Sequence, residues 1–419
     1  MPPPSTTAPD PPMRWGYPRA AITLAVGNCL FDAACNMWWW FIPLFLIEVG
    51  RTTPAEALYW LAAASTAQGV CRVLSGTLWG VMSDRYGRKL MYMRALFFLV
   101  VTAVLFGFIT EPWQVVFALG LHGLFSGYDG PAVAMLSVSV PDSHFKKSLG
   151  LFTALRYLGQ SAGPALGAAL AVAFTYRSTI LIAAGLSAAI LLWIYRALPS
   201  DRIARAHAHG PGAPSTPAPT ARPVLEPFRP SSQLWLAVFI FGMLVALAQV
   251  LRIITPIALR AIEGQDVPGI TGIAFMLGGL ASAAGVFIVS GRYFRIGRLR
   301  IAMVVCTVIT GLAFLGLGTM HASAPFVAVF ALISLTQAAM IPTSNMLIAF
   351  NTPAGRRGTA FGLGGSAQAI SIALGPLAAA AFVATSMAWG FAVIALVCAA
   401  LAVLIHRQLR EPRPEQAGA

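Results

Sequence analysis

Two carboxylates and three guanidiniums stand where this chain has least room for charge: Asp32, Asp129, Arg72, Arg156 and Arg252 all lie inside long apolar runs, together with the imidazole of His122. A carboxylate in such surroundings is costly unless it is paired or wet, and burial makes it able to gain and lose a proton near neutral pH. A buried arginine keeps its charge and is satisfied best by a carboxylate, which accepts two hydrogen bonds from it. The chemistry open to these residues is therefore proton exchange and anion recognition. Each acid has two readings. Asp32 exchanges a proton or meets a ligand, or it forms a permanent ion pair with Arg72 at similar depth. Asp129 does the same, or pairs with Arg156. Three arginines against two acids leave an excess of positive charge, which favours an anionic or zwitterionic ligand. Arg252, with no acid at matching depth in its own run, is the one expected to lack a partner.

Helical spacing gathers further polar residues around these charges. In the first run Asn28, Asp32 and Asn36 recur every fourth residue, with Trp39 and Trp40 close to that face. The second run places Ser65, Gln68, Arg72 and Ser75 on a stripe; the fourth does so with His122, Ser126 and Asp129, and the fifth with Thr153, Arg156 and Gln160. Gln249 and Arg252 mark the seventh run, Ser334, Gln337, Ile341 and Asn345 the tenth, and Gln368 with Ser371 the eleventh. The third, sixth, ninth and twelfth carry almost nothing comparable. The striped runs are expected to line a central wet cavity, and the others to face lipid. The tryptophans either stack on a flat ligand or belong to an aromatic girdle near the membrane surface.

The elements that position these residues follow from composition. The chain has 419 residues, 58% hydrophobic and only 10% charged, too apolar for a water-soluble fold of this length. Twelve apolar runs are read, at about 19–48, 57–82, 90–110, 113–140, 148–173, 177–197, 233–261, 267–292, 299–319, 324–350, 357–383 and 387–406. About 20 helical residues cross a bilayer core, and none of the runs alternates as a membrane strand would. The expected class is an all-α membrane protein with 12 transmembrane helices.

The net charge of +14 is sorted by side rather than spread. Of the 28 Lys and Arg, three (Arg51, Arg177, Arg260) fall on one side, three lie within the runs, and the remaining 22 fall on the other side. This asymmetry predicts cytoplasmic termini in a multi-pass cell-membrane protein and removes the case for nucleic acid. The expected organisation is a tail over 1–18, a six-helix half over 19–197, a linker over 198–232, a second half over 233–406 and a tail over 407–419. The first run is too long for a signal-peptide core and is expected to be retained. His207 and His209 belong to the solvated, proline-rich linker, and the five cysteines lie in apolar runs without metal-ligand spacing. No cofactor or metal is expected, nor an enzyme, and the absence of a phosphate loop argues against ATP as energy source.

The two halves repeat. Gly150 and Gly163-Pro164 match Gly362 and Gly375-Pro376 at a spacing of 212 residues, and Pro141 matches Pro353 at the same spacing. Gly87 and Gly297 agree within two residues of it. Between the second and third runs lies GVMSDRYGRK, with Gly80, Asp84, Arg85, Gly87, Arg88 and Lys89. This GxxxDRxGRK loop resembles the signature of the major facilitator superfamily, whose fold is two parallel six-helix halves. The second copy, SGRYFRIGRLR, has Phe294 where the acid would stand. The resemblance implies that Asp84 faces the start of the eleventh helix and helps hold the outward-facing state. Gly150, Gly159, Gly163-Pro164 and Gly167 are in turn similar to the antiporter signature of drug:proton exporters, with Ala168 in place of its final glycine. Exporters of that group commonly carry an arginine four residues before a glycine of the fourth helix. Before Gly127 that position is Gly123 here, with His122 and Asp129 nearby, so the titrating groups are arranged differently.

The resemblance implies a secondary transporter exporting small organic molecules in exchange for protons, with the Gly80–Lys89 loop and Gly150–Gly167 helix governing its movement; a monomer is expected, and the buried carboxylate of Asp32 is the candidate proton site. Two alternatives remain: uptake or exchange of an organic anion centred on Arg72, Arg156 and Arg252, and a sensor or assembly subunit with a transporter fold and no flux.

Overall fold

The computed structural model describes residues 13–14, 16–125, 127, 129–198, 231–264, 267–295, 297–352 and 357–411. Most of the expected linker and C-terminal tail, and the side chains of Asp84, Arg85 and Asp129, lie outside the described residues. Helices α1 (Arg19–Trp39), α2 (Ile42–Val49), α3 (Pro54–Tyr86), α4 (Arg88–Gly107), α5 (Gln114–Phe125), α6 (Asp129–Ser139), α7 (Asp142–Ala173) and α8 (Tyr176–Ala197) make the first half. The second contains α9 (Ser232–Glu263), α10 (Val267–Ala284), a π-helical turn Gly285–Ser290, α11 (Gly291–Tyr293), α12 (Leu299–Leu317), α13 (Ser323–Phe350), α14 (Arg357–Thr385) and α15 (Met387–Gln408). Among the described residues nine helices are long and apolar enough to cross a membrane. The runs at 57–82, 113–140 and 148–173 are helical too, but broken or richer in polar residues, as α3, α5 with α6, and α7.

Three runs expected as single helices are interrupted, each for a local reason. Pro43 sits in the first turn of α2, where its missing amide hydrogen is harmless, and the chain turns at Trp40–Phe41 before it. Gly127 separates α5 from α6 at φ +119°, a backbone that side chains rarely adopt. In the eighth run the helix widens to π at Gly285, where a Cβ would come within 2.2 Å of the Leu335 carbonyl oxygen on α13. The segment read as an N-terminal tail also carries a small antiparallel ribbon, β1 (Met13–Arg14) and β2 (Tyr17–Pro18), turning at Gly16. Lys147, near the start of α7, holds it by donating to the Gly16 carbonyl at 3.1 Å and lying 4.4 Å over the Tyr17 ring.

Helix α7 organises the packing. A Cβ on Gly159, Gly163 or Gly167 would stand 2.2, 2.5 and 1.8 Å from the carbonyl oxygens of Cys29, Ala33 and Met37 on α1. Four-residue spacing on both helices thus lays one backbone directly on the other. Another side of α7 meets the second half: a Cβ on Gly272 or Gly279 of α10 would meet Ala168 and Ser161. The repeat is visible in space, since Gly375 of α14 lies against Gln249 of α9 much as Gly163 lies against Asn36 of α1. Gly87 and Gly297 both adopt positive φ, +97° and +87°. The two halves meet along α7 with α10 and α3 with α14. Outward-facing apolar side chains such as Leu74, Phe108, Trp389 and Leu396 remain mostly exposed, as a surface facing lipid requires.

Candidate functional site

Asp32 is fully buried at the middle of α1, and its partner comes from α7: Arg156 Nε lies 3.8 Å from Asp32 Oδ2. The fixed pair with Arg72 that the sequence left open is not the arrangement adopted. The reason is the glycine face of α7, which brings Arg156, three residues before Gly159, against Asp32, three residues after Cys29. At 3.8 Å the attraction is about 4 kcal/mol at an effective dielectric of roughly 20, before the cost of removing both charges from water.

From Asp32 a ladder of hydrogen bonds climbs α1. Asn36 Nδ2 donates to the Asp32 carbonyl at 2.8 Å, and Trp40 Nε1 donates to Asn36 Oδ1 at 2.7 Å. Trp40 is thereby locked with its ring 5.0 Å from the Arg252 guanidinium of α9. This cation–π contact joins the two halves and is worth about 0.5–2 kcal/mol depending on desolvation.

The same residue borders two chambers. On one side is a chamber of about 630 Å³, lined by Trp39, Gln68, Arg72, His122, Gln249 and Gln368 among others, within the range of small-molecule sites. Trp39 and His122 pack there with ring centroids 5.2 Å apart. Three glutamine amides, from α3, α9 and α14, make it polar without charge, and the exposed Arg72 supplies a guanidinium. On the other side is a chamber of about 80 Å³ between α7, α9, α10 and α13, holding Asn36, Tyr157, Gln160, Ser161, Arg252 and Ser282. Trp40 lines both.

Of the expected cavity residues, Asn36, Trp39, Trp40, Gln68, Gln160, Gln249 and Gln368 line these chambers. Asn28 does not; it is fully buried and accepts a hydrogen bond from the Tyr92 hydroxyl of α4 at 2.5 Å. Gln337 is buried within the packing of α13, and neither it nor Asn345 is among the described lining residues. Asp129 opens α6, but its side chain lies outside the described residues, as do those of Asp84 and Arg85. Gly80 falls within α3 and Gly87 precedes α4, while Lys89 donates to the carbonyls of Tyr195 (2.9 Å) and Leu198. Gly150 has nothing within 4 Å of a Cβ, unlike Gly159, Gly163 and Gly167. Tyr157, Ser161 and Ser282 were missed by the sequence reading. The hydroxyl of Ser161, one turn past Tyr157 on α7, was the only cue.

The sequence matches the family described as Major Facilitator Superfamily over residues 24–299 and 293–419. It is 29% identical over 175 residues to multidrug resistance protein MdtG of Escherichia coli O81 (strain ED1a), covering 42% of each chain. It is 28% identical over 156 residues to the multi-drug resistance efflux pump PmrA of Streptococcus pneumoniae serotype 4, covering 37% of this chain and 39% of that one. The chain thus aligns with about two fifths of the length of these relatives. Among solved structures, the human organic anion transporter MFSD10 (TETRAN) aligns over 92% of this chain and 99% of its own, at TM-score 0.65 and 17% identity. A bacterial homologue of the human lysosomal transporter Spinster, inward-facing and unoccupied, aligns over 93% and 96% at TM-score 0.68 and 13% identity. Likeness at those identities carries the fold alone. With the family match covering nearly the whole chain and the helices packed as two related halves, this multi-pass membrane protein belongs to the Major Facilitator Superfamily.

Proposed function

We propose that the protein is a proton-coupled exporter of small organic molecules, with twelve membrane crossings in two six-helix halves and both termini in the cytoplasm of a cell-membrane location. The observation that carries the coupling is the buried Asp32–Arg156 pair, at the contact of α1 with α7. With Asp32 ionised, the pair ties α1 to α7. A proton on Asp32 weakens its attraction for Arg156, whose side chain is 29% exposed, and lets that guanidinium turn towards water or substrate. Rocking of the halves then turns on α3 against α14 and α7 against α10, with the Gly80–Lys89 loop and the Gly150–Gly167 helix as its controlling segments. The names of the relatives, multidrug resistance and efflux proteins, favour export.

Purified protein in liposomes loaded with a pH-sensitive dye tests this. Addition of a transported compound should move protons across the bilayer, and Asp32→Asn should abolish that movement while leaving compound binding. Intact pH-driven transport in Asp32→Asn rules the assignment out.

A second reading, exchange of organic anions, is favoured by the large chamber: no carboxylate is among its described lining residues, and Arg72 is exposed within it. Exchange of this kind would persist after the pH gradient is collapsed, whereas proton-driven export would stop.

A further inference from the structure

The small chamber around Arg252 has a composition that neither proton coupling nor general efflux calls for. It is too small for a drug-sized molecule, about 80 Å³, which is room for a few waters or one carboxylate group. Its polar groups are biased towards donation. The hydroxyl of Ser161 is spent on the Tyr157 carbonyl at 2.7 Å, that of Ser334 on the Phe330 carbonyl at 2.9 Å, and that of Ser282 on the Ser334 carbonyl at 3.4 Å. The Arg252 guanidinium, the Gln160 amide and the Tyr157 hydroxyl remain as donors. Among the described residues no acid lies within ion-pairing distance of Arg252, which is met by the face of Trp40 and lies within electrostatic reach of Tyr157. A permanent cation with no carboxylate beside it, among groups that can each donate a hydrogen bond, favours an acceptor-only ligand, which is an anion.

Trp40 lines both this site and the large chamber, where Trp39, His122 and the three glutamines offer flat apolar surface with polar edges. We propose that the Arg252 chamber is an anion subsite that holds the carboxylate of an aromatic organic acid, whose ring system lies in the large chamber against Trp39 and Trp40. Such a ligand exchanges the Arg252–Trp40 contact for a charge-assisted hydrogen bond, which is the stronger interaction for a guanidinium. A cationic compound finds no counter-charge in either chamber among the described lining residues. This assignment rests on the reading of the two chambers as the substrate site.

The test measures binding to purified, full-length protein in detergent, without transport. Probes are naphthalene-2-carboxylate, the isosteric naphthalene-2-carboxamide, and chloride alone, each followed by thermal stabilisation and by intrinsic fluorescence titration. The wild type should bind the carboxylate at least about tenfold more tightly than the amide, the worth of one charge-assisted contact. Arg252→Gln should erase that preference while amide binding persists, and Arg72→Gln should keep most of it. Arg252→Lys retains the charge and guards against a folding defect; it should keep a weakened preference. Four results overturn the proposal: equal binding of acid and amide, no binding of either, a preference lost in Arg72→Gln and kept in Arg252→Gln, or full protection by chloride with nothing added by the ring. The last would mark a site for a free inorganic anion. Because no proton gradient is involved, failure here leaves the coupling role of Asp32 standing, and failure of Asp32→Asn to stop transport leaves the anion subsite standing.

Discussion

Two glycines nine residues apart in one helix should respond in opposite ways to the same substitution. In Gly159→Ala the new methyl would stand 2.2 Å from the Cys29 carbonyl oxygen, with the Cys29 carbonyl carbon and Cα at 3.0 and 3.1 Å. All three are backbone atoms of α1, so no side chain can swing aside. Restoring 3.4 Å of ordinary contact requires α7 to recede by about 1.2 Å. Carried to the neighbouring ion pair, this stretches 3.8 Å towards about 5 Å and lowers its attraction from about 4 to about 3 kcal/mol at a dielectric near 20. Overpacking adds about 1–3 kcal/mol, so the variant should lose roughly 2–4 kcal/mol in all and melt several degrees lower in detergent. Gly150→Ala meets nothing within 4 Å and gains helix propensity of up to about 1 kcal/mol, so its melting temperature should hold or rise. The measurement is a matched pair of thermal unfolding curves, with proton-coupled flux for each variant. If Gly159→Ala unfolds with the wild type, or the two variants shift together, the close approach of α1 and α7 does not exist as described.

Other substitutions probe separate contacts. Gly87→Ala places a Cβ at φ +97° and ψ 154°, a region essentially confined to glycine, and should cost about 1–3 kcal/mol, read as a lower melting temperature. Glu411 accepts from the backbone amides of Gly297 (3.1 Å) and Arg300 (2.7 Å) at the start of α12. Glu411→Ala should therefore speed amide hydrogen exchange in the first turn of α12 and destabilise it by about 0.5–2 kcal/mol, and unchanged exchange there would discard the cap. Trp40→Ala removes a ring that borders both chambers, and should lower selectivity among ligands of different length more than it lowers overall binding.

Much of the architecture was legible because a bilayer imposes it. Runs of twenty apolar residues have few alternatives to helix, and glycine and proline spacing exposed the duplication that Gly163 and Gly375, and Gly87 and Gly297, bear out in their packing and backbone angles. Polar residues at near four-residue intervals marked candidate inward faces, and about half of them line the two chambers. Breaks were harder to see. Pro43 and Gly127 were visible as residues, but whether a helix bends or stops at such a position depends on what packs beside it.

The sequence by itself determined that Asp32, Arg72, Arg156 and Arg252 stand inside long apolar runs, since composition and the positions of the runs are read directly from it. Only the tertiary structure decided which of them meet. Depth along separate helices says nothing about which helices are neighbours, and it was the glycine face of α7, pressed on the backbone of α1, that gave Asp32 to Arg156. That choice left Arg72 in the large chamber and Arg252 in the small one, with the ring of Trp40 between them.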